Sequence, residues 1–300
     1  MDKFRCGYVA IVGRPNVGKS TLTNRIVGQK VSITTHKPQT TRHRVHGIKT
    51  TESSQIVLVD TPGLHENVKK ELNRLMNKAA SSALSDVDVI LFLVDSMEWK
   101  DEDQFVLSRV RNSGIPFIIV VNKIDKVKDK TELLPHLKHL SKEAEHDRII
   151  PVSARQGDNV EELEILIEKY LPEGEPVYSE DHITDRSMRF HAAELIREKL
   201  MRRLGQELPY SVAVEIEKFS EEDGKMDIGA VIWVERAGQK GIVIGKDGHL
   251  LKEIGTKARI DMEAMFDSKI YLQLWVKVKE GWSENERLLR NLGLGDHDSV

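Results

Sequence analysis

Cysteine is almost missing from this 300-residue chain. Cys6 stands alone, so no disulfide can close within the chain, which fits a reducing compartment. Long apolar runs are missing too. The longest, VILFLV at 89–94, is far short of the roughly 20 residues that a membrane-spanning helix requires. The opening, MDKFRCGYVAIVG, leads straight into a strand pattern without the features of a signal peptide. Neither sign of charge dominates. Lys and Arg number 45 against 48 Asp and Glu, a net charge of -3, so a polyanionic partner must be met by a local patch. No internal repeat and no low-complexity tract is visible. These absences argue against a disulfide scaffold, an integral membrane protein, a uniformly basic nucleic-acid binder and a repeat array.

Short apolar runs fill the first half, at 8–12, 56–59, 89–94, 117–121 and 149–152. Runs of this length, buried on both faces, suit a mostly parallel sheet. Longer polar segments with helical spacing lie between them, as at 66–84 and 159–170. The alternation predicts an α/β domain with a doubly wound sheet. The stretch LPEGEPVYSEDHITD, 171–185, reads as a linker. The second half predicts a helix over 187–204, strands near 212–216 and 228–236, a glycine-rich loop, an amphipathic helix and a strand at 270–278. The order α-β-β-α-α-β implies a small α+β domain. The expected boundaries are 1–175 for the first domain, 176–185 for the linker, 186–280 for the second domain and 281–300 for a tail. Trp233 and Trp275 are expected in the core or half-core of that second domain.

The stretch GRPNVGKS, 13–20, matches G-x-x-x-x-G-K-[ST] between a predicted strand and a predicted helix. Glycines let backbone N–H groups curl around phosphate oxygens, and the helix N-terminus adds a favourable dipole. Gly13, Asn16, Val17, Gly18, Lys19, Ser20 and Thr21 are therefore expected to bind a nucleotide triphosphate. Lys19 would neutralise the β- and γ-phosphates, and Ser20 would ligate Mg²⁺. DTPG, 60–63, ends a predicted strand. Asp60 would hold Mg²⁺, Thr61 and Pro62 would line the site, and the Gly63 N–H would sense the γ-phosphate. In KPQTTRHR, 37–44, Thr41 is expected to complete the Mg²⁺ shell. NKID, 122–125, selects the base. The Asp125 carboxylate can accept from guanine N1–H and the N2 amino group, a donor pair that adenine lacks. Asn122 would tie this loop to the phosphate loop, the stem of Lys123 would cover the base plane, and Ser153 and Ala154 would close the pocket at the guanine O6. The expected ligands are GTP or GDP with Mg²⁺. Lys19, Thr41, Asn16 and Gly63 are the candidate catalytic residues. Leu64 occupies the position where a Gln would orient water, so intrinsic hydrolysis should be slow. His65 and Glu66 follow, with His65 expected in a solvated loop. In GTPases with a GxPNVGKS loop the Asn, here Asn16, can help hold a monovalent cation, which predicts stimulation by K⁺. Arg14 acting as an internal finger is the other reading.

The second glycine loop, Gly245-Lys246-Asp247-Gly248, lacks the Lys-Ser/Thr of a phosphate loop. A G-x-x-G between two helices in a β-α-α-β core marks a KH module, which binds about four single-stranded nucleotides. Residues 236–259 carry six basic side chains against two acidic ones, whereas 215–227 is acidic. Ile242, Ile244, Gly245, Lys246, Asp247, Gly248, Lys252 and Lys257 are the candidate RNA-binding residues.

The ordered set GRPNVGKSTL, KPQTTRHR, DTPGLH, NKID, VSA, YLPEGEPVYSEDHITDRSMRF and IVIGKDGHLLKEIG closely resembles the bacterial Era family of GTPases over nearly the whole length. The resemblance implies a P-loop GTPase domain followed by a KH-like domain. It implies a cytoplasmic GTPase that binds the 3′ end region of small-subunit ribosomal RNA and assists assembly of the small ribosomal subunit; the chain is expected to be a monomer. It also implies peripheral contact with the inner face of the cell membrane. A translation-type or RNA-modification GTPase would share only the first domain. A membrane-remodelling GTPase would need an insertion element that the sequence does not contain. A second domain serving only for dimerisation is the remaining alternative.

Overall fold

The computed structural model describes residues 3–63, 71–144, 148–205, 208–222, 224–284 and 289. Their contacts divide them into two units. The first takes the described residues of Met1–Thr34, Thr41–Val68 and Met76–Asp185, and the second those of Thr35–Thr40, Lys69–Leu75 and Arg186–Val300.

In the first unit the expected runs are strands: β1 (Arg5–Val12), β3 (Ser54–Asp60), β4 (Val89–Asp95), β5 (Phe117–Asn122) and β6 (Ile149–Val152). A further strand, β2 (Val45–Thr50), makes an antiparallel edge, and the sheet order is β2-β3-β1-β4-β5-β6. The other pairings are parallel. Helices α1 (Lys19–Val27), α3 (Asp101–Asn112), α4 (Leu133–Glu143) and α5 (Val160–Glu168) belong to the same unit, as does the part of α2 (Glu71–Ser82) from Met76 onward. The strands are apolar throughout because both faces are covered. Val9 and Ile11 pack with Leu22, Ile26, Leu163 and Ile167 on one side, while Ala10 and Val12 pack with Val106, Val110 and Leu140 on the other. The chain direction through the sheet reverses on either side of β1, so the loop after β1 opens at a switch point. Ligands bind there in open α/β sheets.

The expected linker is bound along the first unit. Cys6 N–H donates to the Pro172 carbonyl, Gln55 Oε1 accepts from the Val177 and Tyr178 amides, and Ile48 N–H donates to the Ile183 carbonyl. Thr184 bridges to Gly47, and Asp185 accepts from His46 N–H. The segment therefore covers backbone groups that the edge strand β2 would otherwise leave open.

The second unit follows the order expected from sequence: α6 (Met188–Arg203), β7 (Val212–Glu222), β8 (Lys225–Val234), α7 (Ala237–Ile244), α8 (His249–Phe266) and β9 (Lys269–Val278). Its α6 begins at Ser187, whose hydroxyl accepts from Phe190 N–H. In the sheet, β7 and β8 are antiparallel while β8 and β9 are parallel. One face packs Ile228, Ile232, Ile270 and Val276 against Leu195, Ile196, Ile254 and Met262 of the helices. Trp233 is half-buried and donates Nε1–H to Glu215 at 2.7 Å. Trp275 departs from expectation. It is 44% exposed, because it stands on the sheet face opposite the helices, with its ring against Gly229.

Candidate functional site

The phosphate loop owes its shape to conditions that the sequence meets residue by residue. Asn16 has φ 65 and Gly18 has φ 108, both left-handed. A Cβ on Gly18 would lie 2.2 Å from Asn122 Nδ2, so only glycine lets the two loops meet. Lys19 opens α1 and is buried, with Nζ donating to the Gly13 and Arg14 carbonyls at 3.0 and 3.1 Å. Burial lowers its pKa to about 8. The Arg14 charge acts in the same sense, and Asp60 and Asp103 oppose it. A phosphate arriving at this loop would offer the ammonium a better partner than the two carbonyls do.

Asp60 ends β3, paired with Ile11 of β1 and Val45 of β2, and is completely buried. Neither carboxylate oxygen finds a hydrogen-bond partner. Burial pushes its carboxyl up, while the Ser20 and Ser32 hydroxyls, outside full hydrogen-bonding geometry, and the Lys19 charge pull it down. Ser20 Oγ and Thr41 Oγ1 lie 2.8 Å apart. An orphaned buried carboxylate near two adjacent hydroxyls fits a hard divalent cation with oxygen ligands, so Ser20, Thr41 and Asp60 suit Mg²⁺. The Thr40 hydroxyl instead turns to Thr35 and the Lys37 carbonyl, which favours Thr41 as the ligand. Thr61 donates to the Ile11 carbonyl at 2.8 Å, and buried Pro62 follows it. Gly63 lies against Pro15 of the phosphate loop. Thr21 is half-buried in the first turn of α1, and Val17 is buried.

The candidate base pocket lies where β4, β5 and β6 end side by side, with Asp95 opposite Asn122 and Asn122 opposite Val152. Asn122 Nδ2 donates to the Val17 carbonyl at 2.8 Å, and its Oδ1 accepts from Ala154 N–H at 3.0 Å. One side chain thus joins the phosphate loop, the NKID loop and the loop at Ser153 and Ala154. Ser153 Oγ donates to Asp125 Oδ1 at 2.8 Å, leaving both carboxylate oxygens able to accept from a base edge.

In the second unit, G-x-x-G joins α7 to α8. Gly245 has φ 74 and ψ 176, Asp247 has φ 51 and Gly248 has φ 74. A Cβ on Gly245 would meet Leu250 Cβ at 2.6 Å, so glycine is required at this turn. Lys246, Asp247 and Lys252 are exposed. Lys257 is exposed but paired with Glu253 at 2.8 Å, which removes part of its charge from the loop. Of the two isoleucines, Ile242 is 58% exposed while Ile244 packs partly into the core, so Ile242 is the one open to solvent.

A family described as "50S ribosome-binding GTPase" matches residues 8–123, and one described as "KH domain" matches 207–283. GTPase Era of Pseudomonas fluorescens (strain Pf-5) is 59% identical over 292 residues, 97% of each chain. GTPase Era of Ectopseudomonas mendocina (strain ymp) is also 59% identical, over 97% of this chain and 98% of its own. The chain belongs to the Era family of GTPases. Two solved structures agree, each with a TM-score of 0.95 at 42% identity over 98% of this chain and 100% of the other. One is an Aquifex aeolicus Era variant bound to GDP and AlF4-, and the other is Era in complex with MgGDPNP and nucleotides 1506–1542 of 16S ribosomal RNA. The family fold is as expected, a P-loop GTPase domain and a C-terminal KH domain.

Arg14 donates Nε–H to the buried Asp103 carboxylate at 3.0 Å and lies 3.6 Å from Glu98, so its guanidinium is engaged at α3, which argues against an internal finger. Leu64, His65 and Glu66 lie outside the described residues. Sequence reasoning missed Asp95, which binds the Lys123 ammonium at 2.8 Å. The available signal was an acid ending the buried run VILFLVD.

Proposed function

We propose that this chain is a GTP-hydrolysing switch that binds unpaired RNA near the 3′ end of small-subunit ribosomal RNA and assists small-subunit assembly. The nucleotide part rests on one observation, the double hydrogen bond of Asn122 that fastens the phosphate loop to a pocket floored by Asp125. Lys19 and the backbone of Gly13 to Ser20 would bind the β- and γ-phosphates, and the Gly63 amide would meet the γ-phosphate. Mg²⁺ held by Ser20, Thr41 and Asp60 would supply charge neutralisation at those phosphates. Asn122, Lys123, Asp125, Ser153 and Ala154 would hold the guanine. The RNA part is supported by the G-x-x-G turn, with exposed Ile242, Lys246 and Lys252 beside it, and by the likeness to the Era complex containing 16S ribosomal RNA.

Without a Gln after Gly63, hydrolysis is expected to be slow. Asn16 is exposed at the tip of the loop, where it can help hold K⁺ beside the phosphates. Turnover measured in K⁺ and in Na⁺ at equal ionic strength tests this: K⁺ should be faster, and identical rates refute the cation site. Changing Lys246 and Lys252 to Glu should weaken RNA binding by about tenfold or more and flatten its salt dependence. If affinity and slope are unchanged, the RNA assignment fails. Among the described residues no helix is long and apolar enough to cross a membrane, so the membrane contact proposed with the family would be peripheral, and vesicle flotation tests it.

A further inference from the structure

The end of β4 holds a residue that none of the roles above uses. Asp95 is 13% exposed at its side chain, and its Oδ2 accepts from Lys123 Nζ at 2.8 Å. Its Oδ1 accepts from Met97 N–H at 3.0 Å, and its carbonyl lies 3.3 Å from His136 Nε2. The next residue continues the grip: Ser96 N–H donates to the Asn122 carbonyl at 2.9 Å, and Ser96 Oγ donates to the Lys123 carbonyl at 3.0 Å. Lys123 sits at φ 73, left-handed, a conformation that is strained for a non-glycine residue and persists only where its surroundings enforce it. Burial pushes the Asp95 carboxyl up. The Lys123 hydrogen bond, the Met97 amide and the charges of Lys123 and Arg14 outweigh it, so the net pKa lies below the usual carboxylate range.

We propose that Asp95 is a positioning residue for guanine recognition, anchoring the Lys123 ammonium so that the lysine stem forms a fixed wall of the base pocket. The proposal rests on the guanine-pocket reading above. A free lysine loses rotamer freedom when it must lie along a ligand, and a lysine already held by Asp95 has less to lose. The benefit appears in the lifetime of the complex rather than in its encounter rate.

The test is a double-mutant cycle on the full chain with fluorescent GDP, using Asp95→Asn, Lys123→Met and the pair together. Lys123→Met keeps an apolar stem and removes the ammonium. Asp95→Asn alone should speed GDP dissociation about tenfold, with association changed less than about twofold. In the Lys123→Met background the same change should add less than about twofold. Asp95→Glu, which keeps the carboxylate, should stay within about threefold of wild type, whereas a purely structural role would not distinguish Glu from Asn. Effects of Asp95→Asn and Lys123→Met that multiply independently, or a dissociation rate unmoved by Asp95→Asn, overturn the proposal. If Asp95→Asn does not fold, Lys123→Met and Asp95→Glu decide: the proposal stands when only the first speeds dissociation and falls when neither does. Wild-type protein that binds no GDP overturns the guanine-pocket reading and this proposal with it, whereas normal wild-type binding with independent effects overturns this proposal alone.

Discussion

In the proposed guanine pocket, Asp125 would select the base by what it can accept. Ser153 occupies one lone pair of one carboxylate oxygen, so both oxygens can still accept from a base edge that donates two hydrogen bonds. Asp125→Asn replaces an acceptor with a donor. GDP affinity should fall at least about a hundredfold, because two charge-assisted hydrogen bonds are each worth about 1.5–3 kcal/mol. Affinity for xanthosine diphosphate, whose 2-oxo group accepts, should rise. Competitive binding of the two nucleotides to the variant measures the swap, and an unchanged preference for GDP would remove Asp125 from the pocket. The identity of this residue was legible in NKID. Its partner was not, because Ser153 is 28 positions away in sequence and reaches it only when β5 and β6 pair. The same holds for Asp95 and Lys123, brought together by the pairing of β4 and β5.

Elements were readable wherever burial imposed a pattern. The strands β1, β3, β4, β5 and β6 lie between two layers of helices and are apolar almost throughout. The edge strand β2, VHGIKT, mixes polar and apolar residues and gives no such run. The segment 172–185 was equally opaque. Its prolines, glycine and acids read as a linker, yet its hydrogen bonds place it on β2 and the neighbouring strands. Tyr178 in this strap lies 3.3 Å from His46 Nδ1, and His46 also reaches Asp185 at 3.4 Å. Burial, with Tyr8 and Asp185 adding to it and Arg44 opposing, pushes the Tyr178 phenol from 10.0 up to about 12. Because the folded pKa is the higher one, the neutral phenol's contribution to stability is complete below pH 10 and is lost as pH rises toward about 12. Thermal melts of wild type and Tyr178→Phe should therefore converge across that interval, with wild type losing stability more steeply. Parallel curves would mean that the phenol titrates normally.

At the scale of the molecule, one chain joins a nucleotide site to a G-x-x-G turn, and the loop between α1 and β2 is divided between the units. Thr35–Thr40 fall in the second, while Thr41, beside Ser20, falls in the first. A nucleotide that reorganises this loop should alter RNA affinity, and by linkage RNA must alter nucleotide affinity by the same factor. RNA titrations in the GDP and GTP-analogue states should differ by about fivefold or more, and equal affinities would remove the coupling.

The sequence by itself determined what depends on local chain chemistry: glycines where the backbone turns left-handed, an amphipathic or apolar period for each buried element, and the loop motifs proposed to recognise phosphate, base and polymer. Tertiary structure decided which side chains those motifs lean on. It directed Arg14 to Asp103, Lys123 to Asp95, Asn122 to two separate loops, Ile244 inward, Trp275 outward and the supposed linker onto an edge strand. These are choices among partners distant in sequence. They depend on strand order and on which groups burial leaves unsatisfied, and neither is written in any one segment.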